Sequence, residues 1–343
     1  MRVVIRVLFV DDEVDLLAGL RRMLRTHRER WEMTFACSAA EALEMLAVQE
    51  VDVVVSDVLM PGMDGGAFLT ELRERYPAVV RIVLSGQTQL SRISATVVSV
   101  HQFLAKPCEP SRLEAAVERS LLLRDRLTDA GLIELVGSVE CLPSPSTTVL
   151  ALRDELTKES MDLDRIDQLV RSDLAVSTKV LQLVNSAFFG LPRRMSHPSD
   201  ALVYLGTRAL CELSMSVAAY AAIAAATPAN ERVVARLQQT ATARADFATT
   251  LAQRAGRDHH QCRDVWSGAF LADIGDLLLA GTAHGRDGAD SQTVASVGAY
   301  LLSMWGLPHH LVETAALSRE APQDTSPDGP TFTWLARQAL ARS

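Results

Sequence analysis

Five short strand-like runs in the first 107 residues constrain this chain most: IRVLFV, EMTFAC, VDVVVSD, VRIVLSG and HQFLAKP. Runs this short and this apolar suit strands buried on both faces. Helix-period segments separate them: VDLLAGLRRMLRTH, SAAEALEMLAVQE, GGAFLTELRERY, LSRISATVVSV and PSRLEAAVERSLLLRDRL. In the second of these, Ser38 is placed as an N-cap with Glu41 three residues on. Five strands alternating with five helices over about 120 residues predict a doubly wound α/β domain with a parallel sheet.

Such a sheet places its ligand site at the carboxyl ends of the strands. The polar residues fall there: Asp11 and Asp12 after the first strand, Asp57 after the third, Ser85 after the fourth, and Lys106 with Pro107 after the fifth. Three converging carboxylates repel one another and ask for a cation, and an oxygen-only donor set suits a hard ion such as Mg²⁺. A hydroxyl and an ammonium opposite them suit the oxygens of a phosphoryl group carried by Asp57.

The motifs FVDDE, VVVSDVLMPGMDG, IVLSG and FLAKP together resemble the receiver domain of two-component response regulators, a flavodoxin-like fold, over residues 3 to about 122. The resemblance implies that Asp57 accepts phosphate from a sensor histidine kinase. It implies that Asp12, Asp57 and the backbone carbonyl of Leu59 hold Mg²⁺ with help from Asp11, and that Ser85 and Lys106 grip the phosphoryl group. Phe103 becomes the aromatic that turns inward when Ser85 moves, and the bond before Pro107 is expected to be cis. The readout implied is a shift of the face built from the fourth helix, fifth strand and fifth helix, a face that often forms a homodimer.

Leucines at 121, 122, 123 and 127 carry the helical pattern on to Gly131. Core packing of the last receiver helix accounts for some of these leucines, and the remainder suit an extended helix that joins two domains or pairs with a second copy. Beyond it the pattern is helical throughout. The stretch ALCELSMSVAAYAAIAAA (209–226) approaches a membrane span, yet it carries Glu212 and lacks flanking anchors, so it is assigned to a buried helix. KVLQLVNSAFFG, ALVYLG, FLADIG and VGAYLLSMWGLP resemble the HDOD domain, a relative of the HD metal-dependent phosphohydrolases. SDLAV departs from that family in lacking a proline after the aspartate. The expected organisation is a receiver at 3–124, a linker or extended helix at 125–133, an all-α HD-like HDOD domain at 134–328 and a helical tail at 329–343.

An HD hydrolase carries an adjacent His-Asp pair; here Ala272 precedes Asp273. Neither the 240–252 helix nor AALSRE supplies a histidine, and a lone aspartate holds no catalytic metal. Asp273 is expected to cap a helix or bond a neighbouring backbone. His259 and His260, like His309 and His310, are adjacent, and neighbours on a helix point about 100° apart, so neither pair chelates by itself. The helical half is therefore read as a protein-interaction output with no cofactor and no catalytic residue, acting on an unidentified downstream signalling protein.

Two other readings are weighed: a divergent HD-type phosphohydrolase for a nucleotide or cyclic dinucleotide, and a DNA-binding regulator. Against the second, net charge is −8, with 15 basic and 17 acidic residues over 1–124 and 19 and 25 over 125–343. No helix-turn-helix with a basic recognition helix is found, so nucleic acid is not the expected partner. Five cysteines without a CxxC pair suit a reducing compartment, and MRVVIRVLFVDDE is no signal peptide, so the expected location is cytoplasmic.

Overall fold

Val53, Val54 and Val55 are each buried, although consecutive strand residues point to opposite faces. Only a sheet covered on both sides buries all three. Strands β1 (Ile5–Val10), β2 (Trp31–Ala36), β3 (Val53–Asp57), β4 (Val80–Gly86) and β5 (Gln102–Lys106) form that sheet, parallel throughout, in the order β2-β1-β3-β4-β5. Its register pairs Val7 with Val53, Val53 with Val80 and Ile82 with Gln102. The computed structural model describes residues 4–86, 99–158, 160–186, 194–204, 228–280, 282 and 289–320. The helix expected from LSRISATVVSV falls almost wholly outside these residues, as do the 209–226 stretch and the 329–343 tail.

Helices α1 (Val14–Met23), α2 (Ala39–Val48), α3 (Gly65–Arg75) and α4 (Pro110–Leu121) flank the sheet. Ser38 caps α2 as expected, its hydroxyl accepting from Glu41 N at 3.2 Å, while Glu41 Oε2 accepts from Cys37 N at 2.6 Å. Across 125–133, expected as a linker or an extended helix, no continuous helix runs. After Leu121 the chain makes a 3₁₀ turn (Arg124–Arg126), passes through extended Leu127, and restarts as α5 (Ala130–Ser138). Two causes are visible: Leu123 and Leu127 turn into the core, and Asp129 caps the new helix by accepting from Gly131 N at 2.8 Å. Arg124 fixes the break by pairing with Asp52 at 2.8 Å.

The rest is helical: α6 (Ser146–Leu156), α7 (Leu163–Ser172), α8 (Leu174–Asn185), α9 (Pro228–Arg254), α10 (His259–Leu271), α11 (Ile274–Ala280), α12 (Ser291–Met304) and α13 (His309–Ala316). Among the described residues, no helix is long and apolar enough to cross a membrane. The glycines of FLADIG and VGAYLL meet where α11 crosses α12. A Cβ on Gly275 would lie 2.1 Å from Val294 O, and one on Gly298 would lie 2.7 Å from Gly275 N. The Leu174 N–H, which a proline at that position would lack, donates to Gln238 Oε1 at 3.3 Å.

Both halves share their apolar cores: Val7, Ile82 and Val117 belong to one cluster with Val136, Tyr300 and Leu301. Along β5 and α4 the contact is also polar. Gln102 Nε2 donates to Met304 O at 3.0 Å and to Ser120 Oγ at 2.8 Å, and Ser303 Oγ donates to Arg119 O at 2.6 Å. Gln182 Nε2 donates to His101 O at 3.0 Å. Arg81 is fully buried, and its guanidinium donates to Ser99 O and Gly137 O, both at 2.6 Å.

His101 lies beside it, accepting from Arg81 N at Nδ1 and reaching Gly137 O from Nε2. Burial, reinforced by the Arg81 charge, holds this imidazole well below its usual pKa, and burial likewise pushes His197 down to about 3. Both stay neutral in the fold, whereas in the unfolded chain they take up protons below pH ~6.5. Their stabilisation is complete above that pH and is lost as pH falls toward the depressed folded values, by up to about 1.4 kcal/mol per pH unit for each. Urea unfolding midpoints should therefore drop between pH 7 and pH 5; a flat profile across that window contradicts the neutral assignment.

Candidate functional site

The strand order reverses at β1, so the crevice between the ends of β1 and β3 is the switch point of this sheet. Asp11 and Asp57 are buried there and Asp12 is exposed at its mouth. One oxygen from each of the three lies within 4.8 Å of the other two, a spacing that suits a shared ion. Lys106, from the end of β5, bonds Asp11 Oδ2 at 2.7 Å and Asp57 Oδ2 at 2.8 Å. Burial works against the Lys106 ammonium, but the two carboxylates outweigh it and hold its pKa above the usual lysine value. Three carboxylates and one ammonium leave an excess of negative charge that a divalent cation neutralises, and the all-oxygen donor set fits Mg²⁺.

The backbone sets the acceptor. Val58 N donates to Asp57 Oδ1 at 2.6 Å and Gly65 N to Val58 O at 2.9 Å. A Cβ at Gly65 would lie 2.2 Å from Asp57 O, so the glycine of MDGG lets α3 start directly against the strand end. Asp64 caps that helix through Ala67 N at 2.8 Å, and Leu59 lies in the loop between. Ser85 is buried opposite Ala105 of β5, and Phe103 is buried on β5 in the cluster with Val83 and Val100. The Lys106-Pro107 bond is cis. Asp11, Asp57 and Lys106, with Asp12 at the mouth, thus meet in one crevice, and Ser85 stands at the end of the adjoining strand β4.

Family comparison matches residues 7–118 to the response regulator receiver domain and 142–286 to the HDOD domain. The transcriptional regulatory protein PrrA of Mycobacterium tuberculosis is 31% identical over 182 residues, which cover 52% of this chain and 77% of PrrA. The chain belongs to the response regulators, with a receiver followed by an HDOD domain. The hydrogenase transcriptional regulatory protein HoxA of Cupriavidus necator is 40% identical over 117 residues, 34% of this response regulator. The match spans only 24% of HoxA. Among solved structures, the MmoQ response regulator of Methylococcus capsulatus is 21% identical with a TM-score of 0.48, covering 59% of this chain and 85% of that one.

In the HDOD domain, Ala272 ends α10 and is buried, and Asp273 follows at the turn into α11. The Asp273 backbone carbonyl accepts from Leu277 N at 3.0 Å, the ordinary first bond of α11. Its carboxylate does something the sequence reading missed. Arg244 from α9 bonds Asp273 Oδ2 at 2.5 Å, and Arg319 bonds Asp273 Oδ1 at 3.4 Å and also engages Asp276. Two guanidiniums therefore face two carboxylates, with Arg244 and Asp273 side chains only 8% and 4% exposed. The signal available in the sequence was an arginine within an alanine-rich segment, ATARADFATT. Asn185 ties the end of α8 to the chain at Met195, donating to Met195 O at 2.6 Å and accepting from Met195 N at 2.7 Å.

Proposed function

We propose that this response regulator is controlled by phosphorylation of Asp57 and that its HDOD domain is a protein-interaction output. The observation that carries the reading is Lys106 bonded to both Asp11 and Asp57, with Asp12 within ion-sharing distance. A sensor histidine kinase is the donor, in the cytoplasm. An oxygen of Asp57 bonds to phosphorus as the P–N bond of the donor breaks, and the freed imidazole nitrogen takes up a proton. Asp11, Asp12, Asp57 and the Leu59 carbonyl would hold Mg²⁺, which would supply charge to offset the incoming phosphoryl oxygens. Lys106 then turns to those oxygens, Ser85 donates to one of them, and Phe103 adjusts in the space that Ser85 leaves.

The consequence is felt along β5. Lys106 leads back through the strand to Gln102, whose amide links α4 to Met304 of the HDOD domain. β5 and α4 lie against α12, so a homodimer through that part of the receiver requires the contact to open. Asp273 and Asp276 are engaged by arginines, and a metal there has to displace both guanidiniums, so the hydrolase reading is not favoured.

Hydrogen exchange on the full chain tests the reading. With acetyl phosphate and Mg²⁺, amides around Gln102, Ser120 and Met304 are expected to exchange faster, and Asp57→Asn should remove the response. The same exchange with and without phosphorylation would overturn the coupling.

A further inference from the structure

Away from the Asp57 crevice and from Asp273, a cavity of about 560 Å³ opens between α6, α7 and α9. That volume lies in the range of about 300–1,000 Å³ that holds a ligand. Its α9 wall is one stripe, Ala235, Gln238, Gln239, Thr242, Ala243 and Asp246, at the spacing of residues that share a helix face. The two alanines leave the hollow. From Ala235 to Asp246 the stripe is about 16 Å long at 1.5 Å per residue. An extended chain of about five residues covers that length.

The hydrogen bonds already made around the cavity decide what it can take. Ser172 Oγ donates to Leu169 O at 2.9 Å, and Thr242 Oγ1 donates to Gln238 O at 3.0 Å. Both hydroxyl hydrogens are committed, so these groups offer the cavity lone pairs. Asp246, one turn beyond Thr242, accepts from Trp266 Nε1 through Oδ1 at 3.0 Å, and among the described residues its Oδ2 takes no bond. No lysine, arginine or histidine lines the cavity. Arg171, next to Ser172, lies over the Trp266 ring at 5.1 Å and pairs with Asp167 of its own helix at 3.9 Å.

This part of the cavity is therefore rich in acceptors and suits a donor that carries positive charge, best of all a guanidinium with its several N–H groups. The other end differs. Ser146 bonds Glu231 at 2.7 Å, which sets the neighbouring Thr147 and Thr148 toward the Ala235 end of the stripe. Among the described residues those two hydroxyls make no bond, and with the exposed Gln239 amide they can serve the N–H and C=O groups of a peptide.

We propose that this cavity is a docking groove for an extended segment of a partner protein, which sets an arginine side chain against Asp246. The proposal rests on the reading of the HDOD domain as a protein-interaction output. It names the chemistry of the partner: a short extended stretch with one basic residue.

The test uses the full chain on the Asp57→Asn background and an acetylated, amidated five-residue peptide with one arginine at its centre. The indole N–H resonance of Trp266, bonded to Asp246, is the readout. A saturable shift is expected, and citrulline in place of the arginine should weaken binding about fivefold, the upper end for an exposed ion pair. Asp246→Asn, which still accepts from Trp266, should weaken it equally, while Asp154→Asn on α6, outside the cavity, should not. Ala243→Phe, which fills the groove without changing charge, should abolish the shift. No saturable shift, equal binding of the citrulline peptide, or equal weakening in Asp154→Asn overturns the proposal. Tighter binding of spermidine than of the arginine peptide overturns it too, since the occupant is then a free polyamine. Because the chain in this titration carries no phosphate, a failure here leaves the phosphorylation of Asp57 standing, and failed phosphate uptake leaves the groove standing.

Discussion

Asp57→Asn is expected to take up no phosphate from acetyl phosphate in Mg²⁺ buffer, while the parent chain does so in proportion to Mg²⁺. The substitution keeps the shape of the side chain and removes the nucleophilic carboxylate that Lys106 and Val58 N position. Intact-mass measurement reads the result directly, and labelling of Asp57→Asn at the parent level would falsify the assignment. Asp11→Asn is the informative companion: it keeps the acceptor but removes one of the two carboxylates bonded to Lys106. Uptake in that variant should survive at a reduced rate and with weaker Mg²⁺ dependence.

Arg244→Ala is expected to destabilise the chain by about 3–5 kcal/mol, because it leaves the Asp273 carboxylate buried with only the longer Arg319 contact. Replacing the whole pair, Arg244→Met with Asp273→Leu, should cost less than the single substitution, since no stranded charge remains. Chemical denaturation of both variants measures the difference. If the double variant loses the sum of the two single losses, the two residues act independently and the pair does not explain the burial.

The crevice around Asp57 was legible in the sequence because parallel strands fix where their ends point, so the polar residues closing β1, β3, β4 and β5 had to converge. The Ser38 cap was legible for a similarly local reason. The break after Leu121 was not: leucines at 121, 122, 123 and 127 fit a continuing helix equally well. What stops it is tertiary, the burial of Leu123 and Leu127 together with the Arg124 pair to Asp52, though Asp129 ahead of Ala130 was a visible start signal. Asp273 was expected to cap a helix or bond a neighbouring backbone, whereas its carboxylate meets Arg244 of α9 and Arg319 of the turn after α13, segments whose packing no local pattern encodes. The histidines teach the same lesson. Adjacency spoke only to each pair by itself, and the approach of His260 and His310 to Asp264 exists only once α10 lies beside α13.

The shared core has a consequence for how the chain comes apart. Val136 and Tyr300 pack in one cluster with the sheet residues Val7 and Ile82, and Arg81 finds one of its acceptors on Gly137, past the nominal linker. Cutting between receiver and output would leave that guanidinium short of an acceptor and bare apolar surface on both fragments. The smallest cooperative folding unit is thus wider than either domain, and thermal melting should proceed as a single event rather than in two steps.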